Sequence, residues 1–161
     1  MRTLHRAEET NIINNLLTRR LKMGKTENFR QQHKEMLQIA NEISPLLKAD
    51  QLTANANAVA QSLAKLAGKL NVHLSMEDKV LYPKLIEHQD PNVKSMANKF
   101  IDEMGKIKEV YAQYLNKWSS PEAIKKNPPD FINETKGIFE AISKRITKED
   151  SELYALVDRL N

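Results

Sequence analysis

His73-Leu74-Ser75-Met76-Glu77-Asp78-Lys79-Val80-Leu81-Tyr82 contains neither glycine nor proline, and it extends a helical pattern that begins some twenty residues earlier. Val59, Leu63, Leu66 and Leu70 recur at spacings of three and four, and His73, Glu77 and Leu81 fall on the same stripe. His73 and Glu77 are four residues apart, so they lie one turn from each other on one helical face. An imidazole and a carboxylate thus stand where core side chains belong. Burying such groups without partners costs roughly 2–7 kcal/mol for a neutral polar group and more for a charge. The stretch therefore reads as a core helix with two groups that need a partner.

The same pattern recurs. His73-Leu-Ser-Met-Glu77-Asp78-x2-Leu81-Tyr82 matches Arg145-Ile-Thr-Lys-Glu149-Asp150-x2-Leu153-Tyr154, and Phe29-x3-His33 matches Phe100-x3-Met104. The chain reads as two related helix pairs facing each other. Three more stripes complete the set: Phe29, His33, Met36, Ala40, Ile43 and Leu47; Phe100, Met104, Ile107, Tyr111, Tyr114 and Trp118; Phe131, Thr135, Ile138, Ile142, Arg145, Glu149 and Leu153. Four long stripes joined by short links predict an all-α fold, an antiparallel up-and-down four-helix bundle.

Punctuation sets the expected boundaries. The helices run from about Glu27 to Lys48, from Thr53 to His88, from Pro91 to Trp118, and from Asp130, taken as a cap, to the C-terminus. Asp90-Pro91 reads as an N-cap followed by proline at the first helical position. Ser119-Ser120-Pro121 opens a short helical turn that Asn127-Pro128-Pro129 breaks. Residues 1–24 form a separate basic, amphipathic helical arm with Gly24 as its stop, and residues 25–161 form the bundle.

Composition narrows the function. The chain has 161 residues and no cysteine, which excludes disulfides, thiolate metal sites and cysteine nucleophiles. That suits a reducing compartment. With no signal peptide legible at the N-terminus and no apolar run long enough to span a bilayer, the expected location is the cytoplasm. Residues 1–25 carry Arg2, Arg6, Arg19, Arg20, Lys22 and Lys25 against Glu8 and Glu9, which accounts for the whole net charge of +4. The bundle itself is neutral, and no clear nucleic-acid or membrane signal emerges. The arm is the expected route to a protein partner or a homodimer.

The polar residues on the stripes carry the chemistry. His73 and Glu77 can share one metal, His33 can add an imidazole from the first helix, and Glu149 a carboxylate from the last. Imidazole and carboxylate without thiolate suit non-haem iron, manganese or zinc. His33 followed by His73-x3-Glu77-Asp78 and Leu81-Tyr82-Pro83 resembles the hemerythrin-like (HHE cation-binding) family, over about residues 26–160. The resemblance implies a four-helix bundle, two non-haem irons held mostly by histidines with two bridging carboxylates, and roles in oxygen binding, oxygen or redox sensing, or iron handling.

By position, His33, His73 and Glu77 match the ligands of the first half of that centre, and Glu149 matches the carboxylate of the second. Met104 and Arg145 stand where the family has histidines. Methionine is a soft, weak ligand for iron, and arginine is permanently charged. The expectation is therefore one iron ion rather than two, with dioxygen or another small diatomic as its partner. The alternative is a metal-free scaffold that acts as a protein-interaction module, with Arg145 pairing Glu77 or Glu149. No dedicated acid, base or substrate pocket is legible, so an enzyme is not the expected reading. His88 lies 15 residues past His73, about 22 Å along a helix, and reads as a helix-end residue. His5 belongs to the arm, and Glu103 reads as solvent-facing. Tyr82 and Tyr154, at matched positions, are candidates to hydrogen-bond the carboxylates.

Overall fold

The computed structural model of the chain describes residues 26–160. These residues are almost entirely helical, with no strand among them. Helix α1 covers residues 26–43. Pro45 cannot donate a backbone hydrogen bond, and there the chain tightens into a 3₁₀ turn, Ser44–Leu46. Helix α2 begins at Ala49, runs to Met76, widens into a π-helical turn over Glu77–Leu81 and ends as Tyr82–Ile86. Helix α3 is Pro91–Lys117, α4 is the short Pro121–Lys126, and α5 starts as Pro128–Lys148. A second π-helical turn, Glu149–Leu153, leads α5 into Tyr154–Arg159.

Caps and prolines place most of these ends. Asp90 caps α3 by accepting from the Asn92 backbone N–H at 2.8 Å, with Pro91 in the first turn. Ser120 caps α4 through the Ala123 N–H. Four boundaries differ from the expected ones. Helix α1 ends at residue 43, five residues before Lys48, because Pro45 breaks its hydrogen-bond ladder. Helix α2 starts at Ala49, four residues before Thr53, because Lys48 initiates it with no side-chain cap to mark the spot. It stops at Ile86, and His88 instead accepts from the Asp90 N–H at 3.1 Å. Asn127, and not Asp130, caps α5: its Oδ1 accepts from the Asp130 N–H while its amide donates back to the Asp130 carboxylate at 2.7 Å. The first bond is an ordinary N-cap, and the second ties the two side chains together. The expected N-terminal arm and its Gly24 stop lie outside the described residues.

The two π-helical turns share a cause. Buried positions include 73, 77, 81 and 85 in α2 and 145, 149 and 153 in α5, in steps of four, beside buried 74, 82, 146 and 154. A regular helix of 3.6 residues per turn would carry such a series off the core face, and a locally wider turn holds it there. Tyr82 N–H reaches back to the Glu77 carbonyl, and Tyr154 N–H to that of Glu149. Pro83, which follows the first turn, is not the reason, since Ala155 occupies the matching place in the second.

The core has two apolar clusters. The larger includes Met36, Ile43, Leu52, Leu63, Leu66, Tyr114, Phe131 and Ile142. The smaller joins Phe29, Leu81, Tyr82, Leu85, Phe100, Leu153 and Tyr154. Each fully buried side chain of this size contributes about 1.5–3 kcal/mol. His33, His73, Glu77, Arg145 and Glu149 are also buried. They belong to neither apolar cluster, and Phe29, Phe100, Tyr82 and Tyr154 of the smaller cluster touch them directly. No helix among the described residues is long and apolar enough to cross a membrane.

Candidate metal centre

Helix α1 brings His33 inward, α2 brings His73 and Glu77, and α5 brings Arg145 and Glu149. All five are at least nine-tenths buried. His33 Nε2 lies 3.1 Å from His73 Nε2 and 3.1 Å from Glu149 Oε2. His73 Nε2 lies 3.7 Å from Glu77 Oε2 and 3.8 Å from Glu149 Oε2. The structure thus brings together all four residues singled out in the sequence. The tightest group is His33, His73 and Glu149.

The far side of each imidazole is already engaged. His33 Nδ1 faces Asp150 Oδ1 at 2.9 Å, and His73 Nδ1 faces Gln32 Oε1 at 2.9 Å. Carboxylate and amide oxygens only accept, so each ring donates its Nδ1–H outward. A neutral ring then has only a lone pair at Nε2. Two such lone pairs meet two carboxylate oxygens at one buried point. Among the described residues Glu77 Oε2 has no hydrogen-bond partner, while its Oε1 accepts from the Tyr154 hydroxyl at 2.8 Å. Four converging acceptors repel unless a proton or a metal ion lies between them.

A metal ion meets that need. Ligand atoms each about 2.1 Å from one ion stand about 3.0–3.4 Å apart, and the two 3.1 Å separations fall in that range. The 3.7 and 3.8 Å separations are slightly wider. Nitrogen and oxygen donors without sulfur suit iron, manganese or zinc, so the residues fit the group. Hydrogen bonds to the outer nitrogens of ligating histidines fix the ring and raise its basicity. Asp150 and Gln32 would do this for an ion bound here, and sequence reasoning did not assign them. The signal for Asp150 was its place beside Glu149 in the repeated motif; Gln32 had only its position next to His33.

The second half of the repeat is filled differently. Arg145 donates from Nε to Glu149 Oε1. One terminal nitrogen donates to the Tyr82 hydroxyl and the Phe100 carbonyl, both at 3.1 Å, and the other reaches Glu103 at 3.5 Å. The guanidinium lies 4.6 Å above the Phe100 ring. The repeat survives in outline: Phe29 sets its edge on His73 as Phe100 sits beneath Arg145, and Tyr154 serves Glu77 as Tyr82 serves Arg145. Asp78, the counterpart of Asp150, has a methionine at position 104 where its counterpart has His33, and it pairs with Lys108 at 2.5 Å instead. Glu103 is only half-buried and is held by Lys148 at 2.5 and 2.7 Å, so it braces Arg145 from the rim.

The two carboxylates differ in charge state. Burial, and then the nearby Glu149 charge, push Glu77 up to about 7. Burial also opposes ionisation of Glu149, but hydrogen bonds from His33 and His73, which need a proton on Nε2, and the Arg145 charge outweigh it and hold that carboxyl well below the usual range. Beside the centre is a small cavity of about 20 Å³, walled by His73, Glu149, Arg145, Met36, Met104 and Tyr111. That is room for about one water molecule. Tyr111 also lines it, and its hydroxyl is buried without a hydrogen-bond partner among the described residues.

A helical fold whose interior gathers imidazoles and carboxylates at one point defines a metal-binding class of domain. The model of the hemerythrin HHE cation binding domain matches residues 24–157, and the chain belongs to that family. No curated protein and no solved structure matches it significantly.

Proposed function

We propose that this protein holds one non-haem iron ion through His33, His73, Glu77 and Glu149, and uses it in oxygen, nitric oxide or redox response or in iron handling. The observation that carries the reading is the set of four buried acceptors aimed at one point, with Glu77 Oε2 left without any other partner. Stoichiometry follows from Arg145. Its guanidinium sits where the repeat calls for a second set of ligands, and it neutralises Glu149 as a second ion would. Iron bound in the first half supplies redox chemistry and a position for a small ligand. The cavity beside His73 has room for about one water-sized ligand, and Tyr111 lines it. We place the helices in an up-and-down antiparallel order over residues 25–161, with residues 1–24 as an arm, and the protein in the cytoplasm.

The metal-free scaffold is the competing reading. It gains from the Arg145–Glu149 pair. It loses because Arg145 spends its hydrogen bonds on Glu149, Tyr82, the Phe100 carbonyl and Glu103, and makes none to Glu77 among the described residues. Elemental analysis of protein purified without an affinity tag, with absorption spectra under air and after reduction, separates the two. About one iron per chain is expected, lost in His33→Ala and His73→Ala while helicity stays. A folded chain that takes up no iron on reconstitution makes it a scaffold.

A further inference from the structure

An apolar groove of about 280 Å³ lies outside the metal centre, over the smaller apolar cluster. Phe29, Met76, Val80, Leu81, Leu85 and Leu160 form its apolar surface. Val80 is 41% exposed, and Ile86 beside the groove is equally so. The floor is one layer from the site. Phe29 sets its ring edge on His73 with centroids 5.8 Å apart, and the Met76 sulfur accepts from the Gln32 amide whose oxygen holds His73.

Thr26, the first described residue, lines the groove, so residues 1–25 join the chain at its rim. Those residues include Ile12, Ile13, Leu16, Leu17 and Leu21, in which 12 and 16, 13 and 17, and 17 and 21 are each four apart. As a helix, 25 residues span about 37 Å, ample to cross a groove of this size. Gly24 lies two residues before the rim and tolerates the backbone angles of a sharp reversal.

We infer that the groove is the docking site for this chain's own N-terminal segment, residues 12–21. The segment's apolar residues would meet Val80, Leu85 and Leu160. The docking rests on the groove and the segment alone, and not on the metal reading.

The absence of cysteine makes the test clean. In the full chain, Val80→Cys is combined in turn with Ile13→Cys, Leu17→Cys and Leu21→Cys. Controls place the second cysteine at Val110, which is 56% exposed on α3. Dilute protein is oxidised and scored by gel mobility and intact mass. A disulfide requires Cα atoms within about 7 Å, so it reports contact. An intrachain disulfide for at least one Val80 pair, at least tenfold above the Val110 controls, is expected. Disulfide-linked dimers would assign the groove to a second copy and overturn docking within one chain, as would equal yields for Val80 and Val110. Hydrogen exchange of the uncross-linked full chain gives a second reading. Ile13→Asp with Leu17→Asp should lower protection of residues 76–88, and unchanged protection there would also overturn the docking. Neither readout depends on metal content, so a failure of docking and a failure of the metal reading are told apart.

Discussion

Arg145 cannot shed its charge, so a buried position obliges the surrounding residues to answer it. Glu149, Tyr82, the Phe100 carbonyl and Glu103 do so. Removing the guanidinium in Arg145→Met leaves Glu149 Oε1 and the Tyr82 hydroxyl without their partner. A loss of about 3–5 kcal/mol is expected in urea unfolding, the cost of breaking a buried pair from one side. Arg145→His is a different experiment, because it supplies the ligand that the repeat lacks. Iron per chain, measured by elemental analysis, should then move from one toward two. Asp150 acts at the other end of the site through His33. Asp150→Asn removes the carboxylate behind that imidazole and leaves the fold intact. A 10–100-fold weaker metal affinity is expected by competition with a chelator, the usual effect of losing such a partner. An unchanged affinity would mean that His33 does not ligate.

At the scale of the helices, the ends are set by capping and the faces by the spacing of buried residues. Asn127→Ala should cost about 1 kcal/mol, because α5 loses the acceptor for the Asp130 N–H; a thermal melt measures it. Asp130→Ala should cost less, since Asp130 contributes only the return bond. The helix stripes and the polar residues on them were legible in the sequence because imidazoles and carboxylates at core spacing stand out. His33, His73, Glu77 and Glu149 were found that way, and the structure gathers them. The start of α2 was not legible, because Lys48 gives no cap signal. Asp130 was a plausible cap that Asn127 displaced, three residues earlier. Gln32 and Asp150 escaped notice because they flank the stripe, where polar residues are ordinarily solvated. The widened turns at Glu77 and Glu149 became readable only once the four-residue steps were known to be buried.

For the molecule as a whole, the two halves of the repeat have opposite electrostatic solutions, and this difference fixes how stability responds to pH. Glu149 has Arg145 beside it and ionises readily, whereas Glu77 has only the Tyr154 hydroxyl as a hydrogen-bond donor and resists ionisation. A carboxyl raised from 4.5 unfolded to about 7 folded favours the native state while it stays protonated. That contribution is complete below about pH 4.5 and is lost as pH rises through 7, amounting to about 3 kcal/mol at 1.36 kcal/mol per unit. Glu149 has the opposite sign: its contribution is present above about pH 4.5 and is lost as pH falls toward its depressed folded value. The metal-free protein should therefore be most stable near pH 5 and lose on the order of 10 °C in melting temperature between pH 5 and pH 8. A metal ion takes the ionised form of Glu77 and supplies the missing positive charge, so it binds more tightly as pH rises over the same range. Metal-loaded protein should show little or none of the decline. Glu77→Gln replaces the titrating group by a neutral one of similar shape, and it should flatten the metal-free profile. Thermal melts at pH 5, 6, 7 and 8, with a chelator and with added ferrous iron, test each step. If the metal-free slope persists in Glu77→Gln, its source lies elsewhere in the bundle. If iron leaves the wild-type slope unchanged, Glu77 is not a ligand.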